Sequence, residues 1–194
     1  MAKLDGQPAL VVGAGQGPGR QAARHLSELG ATLALNDLLP GPSETLAAEL
    51  ADAQVFPADA AKKLAAQTLV QDVLQAYGRI DLFVFAAAVQ PADSVLDMDE
   101  WDWRHALDRN LTSAFLLIQS IGRVMREQGG GRILVLIGQD VEDGTRTSAA
   151  YRSASAALNA MAETANQQLA AYNISVQAVE AAGLPGALNE ALKE

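Results

Sequence analysis

Two observations predict an α/β fold, with a parallel sheet covered by helices on both faces. The sequence holds six short β-branched or aliphatic runs, and longer segments of helical period alternate with them. A third observation bounds the architecture. The 194 residues show no fixed-period repeat and no Pro/Gly/Ser linker between two apolar halves, so one domain spanning 1–194 is expected. An apolar share of 49% with 19% charged residues excludes a disordered chain.

Strands are expected at 8–12, 32–36, 54–57, 81–85, 132–137 and 175–179. Between the first two, Gly19, Ala22, Ala23, Leu26 and Leu29 fall on one helical stripe that ends at Gly30, where a left-handed cap is natural. Ser43 is a candidate cap for the second helix. A third helix covers 62–77 and is closed by Gly78. Residues 101–127 read as one long helix stopped by Gly129, Gly130 and Gly131, residues 148–172 as the next, and 186–193 as a short last one.

Composition excludes several functions. The chain has no Cys, so disulfides, thiolate zinc sites and a cysteine nucleophile are ruled out. A net charge of -9 argues against a nucleic-acid partner, because a phosphate footprint needs clustered Lys and Arg. No apolar run approaches the roughly 18 to 20 residues that span a bilayer, and the first residues lack the pattern of a secretory leader. A cytoplasmic location without a membrane partner is expected. Ala makes up about a fifth of the chain and aromatics only 5%, which implies closely packed helices with few large anchors.

Leu10-Val11-Val12-Gly13-Ala14-Gly15-Gln16-Gly17-Pro18-Gly19-Arg20 reads as a strand, a glycine turn and a helix start. Glycine permits positive φ and lets a pyrophosphate approach backbone N–H groups at the positive end of a helix dipole. A tight turn without ligand has the same local pattern. The context favours the ligand: Asp37 closes the second strand about 20 residues on, where a carboxylate accepts hydrogen bonds from an adenosine ribose. Asp rather than Arg there points to NAD over NADP.

At these residues the chain resembles the short-chain dehydrogenase/reductase superfamily. The Gly13, Gly17, Gly19 spacing is similar to that family's nucleotide turn, and the resemblance places Asp37 on the ribose and Asp59 on the adenine. Residues 78–84 look like its fourth strand, Asn110-Leu111-Thr112 like its mid-helix Asn segment, 131–135 like its fifth strand, Tyr151 like its catalytic Tyr, and 173–179 like its sixth strand. The resemblance implies a Rossmann-type doubly wound sheet in the order 3-2-1-4-5-6. NAD is the implied cofactor, bound or lost, and no metal is implied.

The family's reaction is hydride transfer between nicotinamide and an alcohol or carbonyl, and it uses a Tyr, a Lys one helical turn later, a Ser and an Asn. Here the Lys position is Ser155 and the Ser position is Gly138, so only Tyr151 and Asn110 are retained. An unassisted phenol has a pKa near 10, and positioned acid–base help is worth about 10² to 10⁴ in rate. Arg152 does not replace the Lys, because adjacent helix residues point about 100° apart while i and i+4 share a face. Gln139 does not supply the hydroxyl. Pro18 removes an N–H from the glycine turn, and Phe85-Ala86-Ala87-Ala88 stands where the family has Asn-Asn-Ala-Gly. After the sixth strand, Glu180-Ala181-Ala182 replaces the family's Pro-Gly. The seventh strand and the substrate lid are expected to be missing.

Other residues receive structural readings. His25 and His105 are expected to be solvated or capping, Trp101 and Trp103 to be packing anchors, and Asp97, Asp99, Glu100 and Asp102 to satisfy a helix N-terminus. Asn110 also has a reading as a bridge between backbone groups at a helix kink, and Tyr151 one as an ordinary tyrosine. The Ala-rich helix 148–172 and the helix 101–127 are the expected partner surface.

Taken together, these residues suggest a pseudoenzyme. It would be a catalytically degenerate subunit that supports a competent homologous dehydrogenase in a hetero-oligomer, as in family pairs that act on a CoA thioester in aromatic degradation. Two alternatives stay open: an atypical NAD-dependent oxidoreductase using Tyr151 and Asn110, and an NAD-sensing binding module.

Overall fold

The computed structural model describes residues 3–138 and 148–193. Strands β1 (Pro8–Val12), β2 (Thr32–Asn36), β3 (Ala53–Val55), β4 (Leu82–Phe85), β5 (Gly131–Ile137) and β6 (Ile174–Glu180) form one parallel sheet in the order β3-β2-β1-β4-β5-β6. Helices α1 (Gly17–Glu28), α2 (Pro40–Glu49), α3 (Lys63–Tyr77), α4 (Glu100–Leu107), α5 (Ser113–Gln128), α6 (Ala149–Leu169) and α7 (Gly186–Ala191) cover it. None of the described helices is long and apolar enough to cross a membrane.

Successive strand residues point to opposite faces, so each central strand feeds two cores. Leu10, Phe83, Phe85 and Ile133 pack on one face with Leu69 of α3, Leu117 and Ile121 of α5, and Leu158 of α6. Val11, Leu33, Val84 and Leu134 pack on the other with Leu26 of α1, Leu46 of α2, and Leu188 of α7. A sheet buried on both faces requires continuous apolar strands, and β1 and β4 are buried at every position.

Four readings are revised. The long helix is interrupted by one π turn, Asp108–Thr112, between α4 and α5; there Ser113 Oγ donates to Arg109 O at 2.6 Å. Ser43 is not a cap: α2 begins three residues earlier at Pro40, whose fixed φ suits the first helical position, and the Ser43 hydroxyl is buried without a partner. His25 is buried rather than solvated, and its Nε2 meets Asn189 Oδ1 at 2.9 Å, joining α1 to α7. Trp101 is no core anchor. It is 66% exposed and stacks on His105 at 4.7 Å between ring centroids.

The acidic cluster does what a helix N-terminus requires. Asp99 caps α4, its carboxylate accepting from the N–H groups of Trp101 and Asp102 at 2.6 and 3.2 Å. At the other end of the sheet's sequence, residues 181–185 connect β6 to α7.

Candidate nucleotide and active site

The turn from β1 into α1 is built from glycines, and at Gly13 and Gly19 there is no room for a side chain. Gly13 has φ +82°, and a Cβ there would lie 2.6 Å from Ala87 N, so β1 could not lie so close to the segment after β4. A Cβ on Gly19 would overlap Gly13 O, which sets how tightly α1 folds back on the turn. Gly17 has φ +50° with open space where a side chain would stand. The N–H groups of Gly13 and Ala14 both donate to Asn36 O, at 2.9 and 3.2 Å. Asn36 in turn donates through Nδ2 to Phe56 O at 2.7 Å and Ala58 O at 3.3 Å. This buried Asn ties the ends of three strands together, a role not visible from its place in an aliphatic run.

Asp37 sits at the rim of the resulting cleft. Its Oδ2 accepts from Gly15 N at 2.8 Å and its Oδ1 from Leu38 N at 3.1 Å, which fixes the carboxylate beside the glycine turn. The cleft, of about 360 Å³, opens at the carboxyl ends of the strands between β1 and β4. There the strand order reverses direction, the place where open α/β sheets bind ligands. Gly17, Pro18, Asp37, Leu38, Ala87 and Arg109 are among its walls. Pro18 leaves the start of α1 one N–H short.

Asp59 is engaged by its own neighbourhood. Its Oδ1 accepts from Ala61 N at 3.2 Å and lies 3.6 Å from Arg109 Nη1. Arg109 Nε donates to His105 Nε2 at 3.2 Å. Sequence reasoning passed over Arg109; its only signal was a cation immediately before Asn110.

The structure brings Tyr151 and Gly138 together. Tyr151 stands in the first turn of α6, where its N–H meets the capping Ser148 Oγ at 3.4 Å. Its hydroxyl occupies the space that a Cβ on Gly138 would need. Ser155, one turn further along α6, is half-buried, and Arg152 is exposed on a neighbouring face. Asn110 is buried in the π turn, and both ends of its amide are spent on one residue: Oδ1 accepts from Val89 N and Nδ2 donates to Val89 O, each at 2.6 Å. Gln139 lies outside the described residues.

A separate groove of about 550 Å³ runs between α5 and α6. Phe115, Ile118, Gly122, Met161, Ala165 and Tyr172 line it, with Phe115 48% and Tyr172 44% exposed.

The adenosine side of the cleft fits a dinucleotide, with a fixed carboxylate, a glycine turn and open space over Gly17. The opposite side offers the side chains of Ala86, Ala87 and Ala88, none of which can hydrogen-bond.

Comparison with known proteins matches this geometry. The family model for the short chain dehydrogenases matches residues 7–194. An NAD-dependent glycerol dehydrogenase of Listeria innocua is 31% identical over 180 residues, which cover 88% of this chain and 68% of that protein. A D-threitol dehydrogenase of Mycolicibacterium smegmatis is 35% identical over 141 residues, 71% of this chain and 54% of that one. Among solved structures, NAD+-bound xylitol dehydrogenase superimposes with a TM-score of 0.86 at 32% identity, covering 92% of this chain and 70% of that one. The fold, the strand order and the glycine turn therefore have one explanation: the chain belongs to the short-chain dehydrogenase family.

Proposed function

We propose that this chain is a non-catalytic short-chain dehydrogenase subunit, a pseudoenzyme that keeps the adenosine half of an NAD site and pairs with a competent homologue. The observation that carries this reading is the Tyr151 hydroxyl lodged over Gly138. The family's chemistry requires a hydroxyl at position 138 to polarise a carbonyl and an ammonium at 155 to lower the pKa of the Tyr and hold the nicotinamide ribose. Gly138 and Ser155 supply neither. Losing a polarising donor costs about 10² to 10³ in rate, and losing acid–base assistance costs about 10² to 10⁴. The residues around Asp37 and Gly17 would hold the adenosine ribose and approach the pyrophosphate. NAD, when bound there, would serve as a structural ligand.

The partner surface in this reading is the α5–α6 groove. Its exposed Phe115 and Tyr172 flank small residues, Gly122 and Ala165, that let another helix approach closely. A homologous subunit presenting the same two helices is its natural occupant.

Two assays test the proposal. The purified chain is offered NAD or NADH with polyols, ketones and acyl-CoA thioesters, and no turnover is expected. Turnover that disappears in Tyr151→Phe would establish an independent oxidoreductase and overturn the proposal. Native mass spectrometry of the protein from its own source is expected to show a larger homologous subunit beside it, whereas a lone homodimer would remove the hetero-oligomer. Phe115→Glu should break the assembly.

The fixed Asp37–Gly15 bond favours a second reading, a module that senses NAD. It requires binding in the micromolar range without turnover, read by calorimetry.

A further inference from the structure

We infer that Arg109 is the anion-binding residue of the cleft, contacting a phosphate of the bound nucleotide in place of the N–H that Pro18 lacks. This rests on the reading that the cleft holds a nucleotide, and goes beyond it by naming a residue and a ligand group.

The observations are independent of one another. Among the described residues that line the cleft, Arg109 is the one Lys, Arg or His. Its side chain is 22% exposed, so it reaches the cavity while its charge is shielded from much of the bulk solvent. Its ion pair with Asp59 is a long one, Nη1 to Oδ1 at 3.6 Å, beyond hydrogen-bond distance. The Nε–H is used by His105, which fixes the plane of the guanidinium. With Nε on His105 and Nη1 beside Asp59, Nη2 is left to offer its two N–H groups to a ligand that comes within reach. A planar fork of donors matches phosphate geometry, and charge-assisted bonds to it are about twice as strong as neutral ones. Gly17 and Pro18 of the glycine turn line the same cleft, and Pro18 has no donor. A pyrophosphate seated over Gly17 would therefore be short of one hydrogen bond and in need of positive charge, and Arg109 supplies both.

Calorimetry on the full chain tests this with adenosine, AMP, ADP, NAD and inorganic phosphate, at two salt concentrations. Arg109→Leu is expected to weaken AMP, ADP and NAD roughly 10- to 100-fold, to leave adenosine within about twofold, and to flatten the salt dependence of the charged ligands. Arg109→Lys keeps a charge but not the fork, and should retain the salt dependence with intermediate affinity; it also serves if the Leu variant fails to fold. Unchanged AMP affinity in both variants would overturn the assignment. So would an equal loss of adenosine, which would place the guanidinium on the base. If the wild-type chain binds none of the nucleotides, the nucleotide reading of the cleft falls first, a result distinct from either variant outcome.

Discussion

The hydroxyl of Tyr151 occupies the space that a side chain at position 138 would fill, and glycine at 138 is what permits it. Tyrosine and glycine are therefore coupled. Gly138→Ala or Gly138→Ser forces the phenol out of its place at an expected cost of about 1–3 kcal/mol, the range for overpacking. In a Tyr151→Phe background, where the hydroxyl is gone, the cost of Gly138→Ala should fall. Urea denaturation of the four proteins in the cycle gives the coupling energy, and additive effects would show that the contact carries no energy.

Asn110 predicts a large stability effect from one amide. It is buried, and its two 2.6 Å bonds satisfy both the N–H and the C=O of Val89. Asn110→Leu leaves two backbone groups unpaired at about 1–3 kcal/mol each, so a loss of more than 2 kcal/mol is expected in chemical denaturation. Asn110→Asp keeps the acceptor but sets a buried carboxylate oxygen against Val89 O, and should cost at least as much as Leu at neutral pH. A neutral Leu variant would mean that water replaces the amide.

Asp37 carries two separable roles. Asp37→Ala removes the acceptor for the Gly15 and Leu38 N–H groups, with an expected cost of about 1–2 kcal/mol in stability. It also removes the proposed ribose acceptor, so any NAD binding seen by calorimetry should vanish. NAD binding that survives Asp37→Ala would place the nucleotide elsewhere.

Tyr77 gives a pH signature. Its hydroxyl donates to Leu33 O at 3.1 Å, joining α3 to β2, and burial together with the nearby Asp52 carboxylate pushes the phenol above its ordinary value. The folded state thus holds the proton more tightly than the unfolded chain. Below the unfolded pKa of about 10 this contribution is fully present, and it is lost as pH rises through the folded value. Unfolding free energies measured at pH 9 and at pH 11 should differ more for the wild type than for Tyr77→Phe. Equal differences would leave Tyr77 without a part in alkaline unfolding.

The amino-acid order alone was enough for the strands and the glycine turn, because these depend on local period and on backbone freedom at Gly13 and Gly19, whereas the order of the strands in the sheet came from the resemblance to a known family. The place of Asp37 beside the glycine turn was legible for the same reason, since it closes a strand a fixed distance from that turn. Gly138 and Ser155 could be recognised as losses by counting from Tyr151. What happens to the residues left behind could not be counted. That Tyr151 moves into the vacated space, that Asn110 is consumed by Val89, and that Arg109 reaches the cleft from the turn of a π helix are all contacts between distant segments. His25 and Trp101 were misread for that reason too, whereas Ser43 loses the cap to a local feature, Pro40 at the first helical position. Position along a helix says which face a residue occupies only once neighbouring elements have decided which face is buried. Local geometry is encoded residue by residue, whereas the partners of a side chain are set by packing, and packing is a property of the whole fold.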